Sequence, residues 1–300
     1  MALNFTRTQM AEGGALINLG DLSKPATVLV EKVCNAVGVV FEPTRIKRKA
    51  RAEAEAEKIR ALAKFELREI EGRALERFLH QEARKQENIE SITAQAAKAL
   101  PTNAKVDELE EDWVSNFFKQ CDTVSDREMQ SLWARLLAGE ATKPGSFGRR
   151  TVDLVSTIDK RDAALFTKFC QFVWMIGTPA PLIFDIQDEI YEKAGITFSD
   201  LKHLDAIGLI SFETVSGYLR KGFSKNAVVF YYGRPFLIEF PTDSGNQLQV
   251  GKVLLTNTGS ELVSICGAGR NEGFEEYVAG KWCENNVSLA SLLVQSGRGK

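Results

Sequence analysis

GYLRKGFSKNAVVFYYGRPFLIEF, from Gly217 to Phe240, carries the valine, isoleucine, tyrosine and phenylalanine density of strands, with Gly217, Gly222 and Gly233 spaced as turns. LQVGKVLLTNTG, residues 248–259, continues the same texture. Ahead of both, ITFSDLKHLDAIGLISF (196–212) reads as a short helix that ends at Gly208 and runs into a strand. After them, TGSELVSIC (258–266) reads as a helix begun by Thr258. Helix, strand, hairpin, strand, helix is the order of a winged helix, so residues 181–300 are expected to form a small α+β, winged helix-like module. Tyr218, Arg220, Lys221, Phe223, Lys225, Tyr231, Tyr232 and Arg234 interleave cations with aromatics along the hairpin, the composition of a phosphate-contacting wing. The preceding helix argues against base reading, because Asp200 and Asp205 would face the phosphates beside Lys202 and His203.

Upstream the period becomes helical. In DREMQSLWARLLAGE (126–140), Met129, Leu132, Trp133, Leu136 and Leu137 fall at i, i+3, i+4, i+7 and i+8, a complete buried stripe. Ser125 with Glu128 has the spacing of a capping box, and Gly139, Pro144 and Gly145 supply the stop. Leu109, Trp113, Phe117 and Cys121 repeat the pattern before it; SFGRRTVDLVSTI and DKRDAALFTKFCQFVWMI, the second capped by Asp159, extend it after. Residues 105–180 are thus expected to be a central helical bundle whose aromatics are packing.

Residues 1–104 have a third texture. PATVLVEKVCNAVGVVF (25–41) sets Val30, Val33, Val37 and Val40 on one stripe broken by charges. A helix packed on its own protein, a membrane-interface helix and a subunit contact all fit it. From Thr44 to Leu100 there is no proline and a surplus of strong helix formers, enough for a helix about 85 Å long if unbroken. Its intermittent apolar seam must lie on something else, which favours a homo-oligomer. Arg45, Lys47, Arg48, Lys49 and Arg51 precede Glu53, Glu55 and Glu57. Either the two signs pair along a solvated face or the cations meet phosphate, from lipid headgroup or nucleic acid.

The composition, 44 % hydrophobic and 26 % charged with net charge −2, is that of a globular chain without a global field for polyanions. Five scattered cysteines without a CxxC pair are the usage of a reducing compartment, and the start lacks a secretory core. A cytoplasmic protein, or one peripheral at the inner membrane, is expected. GxSxG, HExxH and a Walker loop are absent from the sequence. His80 and His203 stand far apart. GAGRNEG (267–273) follows a helix where a phosphate cradle needs a strand, and Asp185, Asp188 and Glu189 read as an acidic helix start rather than a metal site. No cofactor, metal or catalytic residue is expected.

DREMQSLWARLLAGE, KPGSFGRRTVDLVSTIDKRDAALF, LKHLDAIGLI and VLLTNTGSEL together resemble a bacterial family known only as a domain of unknown function, itself similar to abortive-infection alpha-like proteins. The resemblance implies phage defence and transfers no catalytic residue. The expectation is a mainly α, non-enzymatic protein: long N-terminal helices, a central bundle and the C-terminal winged helix-like module, assembling with itself. Its partners would be a protein or phage component or an anionic membrane surface, through Arg45, Lys47, Arg48, Lys49 and Arg51 and through Tyr218, Arg220, Lys221, Lys225 and Arg234. A winged-helix regulator binding nucleic acid is the alternative.

Overall fold

The computed structural model describes residues 22–38 and 69–292. The chain divides into two compact units, Met1–Arg149 and Arg150–Lys300.

In the first unit, α1 (Lys24–Val37) starts at Ser23, whose Oγ accepts from the Ala26 amide, and stops at Gly38 in the left-handed region. It buries Ala26, Leu29, Val30 and Val33, so this part of the stripe packs on its own unit, while Val37 is part-buried and Val40 lies outside the described residues. Lys32 fixes the docking by donating to the Asp107 and Leu109 carbonyls at 2.8 and 2.6 Å. α2 (Glu69–Ala99) buries Ile89, Ile92, Ala96 and Ala97 beside α4, while Ile70 and Phe78 nearer its start are 65 % and 56 % exposed. α3 (Glu111–Cys121) and α4 (Arg127–Thr142) carry the aromatic core, where Phe117 meets Trp113 and Trp133, each at 5.2 Å. Leu132, Trp133, Leu136 and Leu137 are buried, as their spacing requires.

The cap of α4 corrects the sequence reading by one residue. Asp126, not Ser125, accepts from the Glu128 and Met129 amides, both at 3.0 Å, and Ser125 Oγ instead takes the Arg84 Nε proton at 2.9 Å. The helix also runs through Gly139 to Thr142. Glu140, buried at its end, accepts from the amides of Gly145 (2.6 Å) and Phe147 (2.8 Å), while the Phe147 carbonyl takes the Trp113 indole proton at 2.8 Å.

α5 (Arg149–Thr157), in the second unit from its second residue on, is followed by α6 (Lys160–Cys170), which is started by an Asp159–Asp162 capping box. The expected helix through QFVWMI then fails: β1 (Val173–Ile176) and β2 (Thr178–Pro181) form an antiparallel pair across Gly177. VWMI is apolar at every position, a run in which period cannot separate a buried helix from a buried strand, and Pro179 and Pro181 forbid helix beyond it. Two short helices follow, α7 (Glu189–Lys193) and α8 (Phe198–Ala206).

The remaining strands nest. β3 (Ile210–Phe212) pairs with β8 (Val253–Leu255), β4 (Tyr218–Phe223) with β7 (Asn246–Gly251), and β5 (Asn226–Tyr231) with β6 (Arg234–Glu239). Tyr232 and Gly233, both at positive φ, make the two-residue turn that matches strand twist. α9 (Asn257–Val263) starts at Thr256 rather than Thr258, and α10 (Phe274–Cys283) and β9 (Ser288–Ser291) close the unit.

This topology overturns the mainly α, winged helix-like reading. Over the described residues the chain is about 52 % helix and 17 % strand. The hairpin tip is no free wing, because β5 and β6 stand inside a five-stranded antiparallel sheet of order β2-β1-β5-β6-β9. The helix–strand–hairpin order was present, but β1, β2 and β9 come from outside the stretch that suggested it.

Candidate protein-contact site

Among the described residues, one face of the five-stranded sheet is covered and the other is open. Inward, Trp174, Tyr231, Phe236 and Ile238 are buried, with Trp174 stacked on Tyr231 at 4.8 Å and edge-on to Trp282 of α10 at 5.7 Å. Tyr231 Oη donates to the Gln171 carbonyl and receives the Asn271 amide, and burial pushes its pKa up to about 12. The alternation of a strand sends the next residues outward. Met175 (42 % exposed), Phe230 (44 %) and Pro235 form one row by register, Val228 (50 %), Leu237 and Ala290 the next. Leu292 (45 %), whose amide donates to the Pro235 carbonyl, prolongs the first row. Two rows without a charge cross the sheet, with Met175, Phe230, Val228 and Ala290 exposed and Pro235 and Leu237 part-buried. Contiguous exposed apolar surface of this kind makes the face a candidate contact site.

The wing candidates are dispersed around this sheet. Arg220 is turned into its own protein, donating to the Ile176 carbonyl and, at 2.7 Å, to Thr178 Oγ1; desolvation lowers its pKa. Arg234 lies 3.6 Å from Glu275, an oxygen it shares with Arg270 at 3.2 Å. Tyr218 Oη is 3.5 Å from Ser211 Oγ, Phe223 stacks on Phe240, and Tyr232 donates to the Cys170 carbonyl. Lys221 and Lys225 are exposed. Arg45, Lys47, Arg48, Lys49 and Arg51 lie outside the described residues. His203, on α8, bonds Asp162 Oδ1 at 2.6 Å.

A second feature was not legible as a site. The GAGRNEG loop and the Asp188–Glu189 pair, 80 residues apart in the sequence, line one open cleft of about 600 Å³ with Tyr277. Tyr277 Oη donates to Asp188 Oδ2 at 2.5 Å and Lys281 Nζ reaches the same oxygen at 3.0 Å. Burial opposes the Asp188 charge, but those two donors outweigh it and its pKa is lowered. Burial and the neighbouring Tyr191 and Asp188 push the Tyr277 phenol far above its usual range. A phenol so held is a poor base, and Glu189 is spent on Lys193 at 2.8 Å. Among the described residues no three His, Cys, Asp or Glu side chains converge to hold a metal. The cluster's evident work is to clamp α7 to α10. A carboxyl with a lowered native pKa stabilises the fold above its unfolded value and loses that contribution as pH falls through the native one. Asp188→Asn is therefore expected to lower Tm at pH 7, with the gap to wild type closing below about pH 4; thermal melts across that range check it.

The fold thus defines a protein of two compact units, the second carrying a five-stranded antiparallel sheet with apolar side chains exposed on one face. The family model described as "Protein of unknown function (DUF2806)" matches residues 72–279, more than half of the chain, and the chain belongs to that family. No curated protein and no solved structure matches it. The family carries no assigned role, so infection arrest is not among the things that membership establishes. Among the described residues no helix is long and apolar enough to cross a membrane.

Proposed function

We propose that the protein works by protein contact rather than catalysis, assembling with itself and taking part in bacterial antiviral defence. The observation that carries the contact reading is the open sheet face, where Met175, Val228 and Phe230 stay more than 40 % exposed although the residues beside them along their strands, Trp174, Ile176, Val229 and Tyr231, are core. Support for contact over nucleic-acid binding comes from Arg220 and Arg234, which bond their own protein. Defence itself rests on the resemblance of the four quoted motifs to abortive-infection alpha-like proteins. A phage panel plated on bacteria carrying the intact protein or an empty vector tests it. Fewer plaques with the protein are expected; equal plating across the panel would remove the defence reading.

A further inference from the structure

We infer that Cys170 and Cys266 form a redox-sensitive thiol pair, closed to a disulfide by hydrogen peroxide and reopened by small thiols. It is independent of the contact reading.

The two cysteines stand far apart in the sequence, without the CxxC spacing that announces a thiol pair, yet the fold brings them together. Cys170 closes α6, and Cys266 lies just past the end of α9. The Cys170 thiol hydrogen-bonds the Cys266 thiol. Bonds on both sides hold the pair in place. Before it, Thr167 Oγ1 donates to the Cys266 carbonyl at 3.1 Å. Beyond it, Asn271 Nδ2 donates to Gln171 Oε1 at 3.2 Å, and Tyr231 Oη bridges the Gln171 carbonyl and the Asn271 amide at 2.7 and 2.9 Å. Tyr232 Oη pins the Cys170 carbonyl at 2.9 Å. With both segments fixed, only a short approach separates the thiol contact from a sulfur–sulfur bond.

The two thiols are not equivalent. Cys170 is 1 % exposed, and burial, then the Cys266 sulfur beside it, push its pKa well up, so it keeps its proton. Cys266 is 9 % exposed and abuts the exposed Gly267 at the start of the 267–273 loop. It aims its own proton at the Val263 carbonyl at 3.2 Å, which leaves its sulfur to accept from Cys170. A donor on that sulfur favours the thiolate there, so Cys266 attacks first. Its sulfur sheds its proton and bonds one peroxide oxygen; the O–O bond breaks, giving a sulfenic acid and one water. The Cys170 sulfur then displaces the hydroxyl, which leaves with the Cys170 proton as a second water while the S–S bond forms. The pair loses two electrons and the peroxide gains them. Two molecules of a small thiol reverse the step by exchange and leave as their own disulfide. The bond ties the end of α6 to the root of the loop whose Asn271, Glu272 and Gly273 line the cleft, so oxidation stiffens that rim.

Peptide mapping of the full chain after hydrogen peroxide, with remaining thiols alkylated under denaturing conditions, tests this. A linked Cys170–Cys266 peptide is expected, absent before peroxide and lost on dithiothreitol. The oxidised protein is expected to melt roughly 5–10 °C higher than the reduced one. Cys170→Ser is expected to leave Cys266 as a sulfenic acid that dimedone labels, and Cys266→Ser to leave Cys170 unreacted. Absence of the linked peptide under conditions that oxidise the exposed Cys283 overturns the inference. A bond from Cys266 to any other cysteine, or a sulfinic acid at Cys266 with Cys170 still reduced, overturns it equally. The wild-type map needs no substitution, so it decides the matter even where a serine variant fails to fold.

Discussion

Gly259→Ala is expected to cost more stability than any surface change in this protein, on the order of 3–4 kcal/mol. Gly259 lies in the first turn of α9, where its backbone passes directly over the end of α8. A Cβ there would stand 2.0 Å from the Leu209 carbonyl oxygen and 3.2 Å from Leu255 Cδ2. The first contact is with backbone, so no rotamer relieves it. The Thr256 hydroxyl draws the same elements together, accepting from the Gly259 amide at 3.0 Å while donating to the Gly208 carbonyl at 2.8 Å. To admit the methyl, α9 must leave the β3–β8 pair or Leu209 must move. Gly280→Ala is the control. It sits inside α10 with open space around its Cβ, and helix propensity predicts a gain of up to about 1 kcal/mol. Urea denaturation of both variants is expected to move the midpoint in opposite directions.

Loss of the Glu140 carboxylate is expected to be nearly as severe. Its two oxygens accept separately from the Gly145 and Phe147 amides, and the second bond is fully buried. Alanine there leaves two donors without that acceptor, each costing about 1–3 kcal/mol where water cannot reach. The turn they hold also positions the Phe147 ring against Gly139 and presents the Phe147 carbonyl to Trp113. Glu140→Ala should therefore cost about 3 kcal/mol or more and broaden the thermal transition of the first unit. Glu140→Gln keeps the shape and one acceptor, so it should fall between alanine and wild type. Calorimetry of the three proteins checks the ranking.

Both residues belong to motifs that the sequence marks out, and their geometry explains what those motifs do. LLAGE and KPGSFG meet through Glu140, Gly139 and Phe147, while LKHLDAIGLI and VLLTNTGSEL meet at Leu209 and Gly259. The helices of the first unit were legible because their buried positions recur within one element: Leu132, Trp133, Leu136 and Leu137 follow from spacing alone. The capping residue was less so. Ser125 and Asp126 are both good N-caps, and the choice is made by Arg84, which engages Ser125 from another helix.

The sheet was legible only in part. β5 and β6 are neighbours in the chain and their turn residues announce them, but β1 joins β5 from about 55 residues upstream, and β9 joins β6 from about as far downstream. The candidate site was hidden for the same reason. Val228, Phe230 and Met175 have the composition of core strands, and among the described residues they are left exposed while α10 packs on the opposite face through Trp282 and Trp174. The Tyr277–Asp188 bond spans 89 residues and had no local signal.

We propose that the protein acts through the open face of its five-stranded sheet. The most direct test is the efficiency of plating on bacteria carrying Val228→Lys/Phe230→Lys at wild-type abundance and with wild-type Tm. Plaque reduction by the intact protein and none by the double variant is expected. Equal protection from both would contradict it.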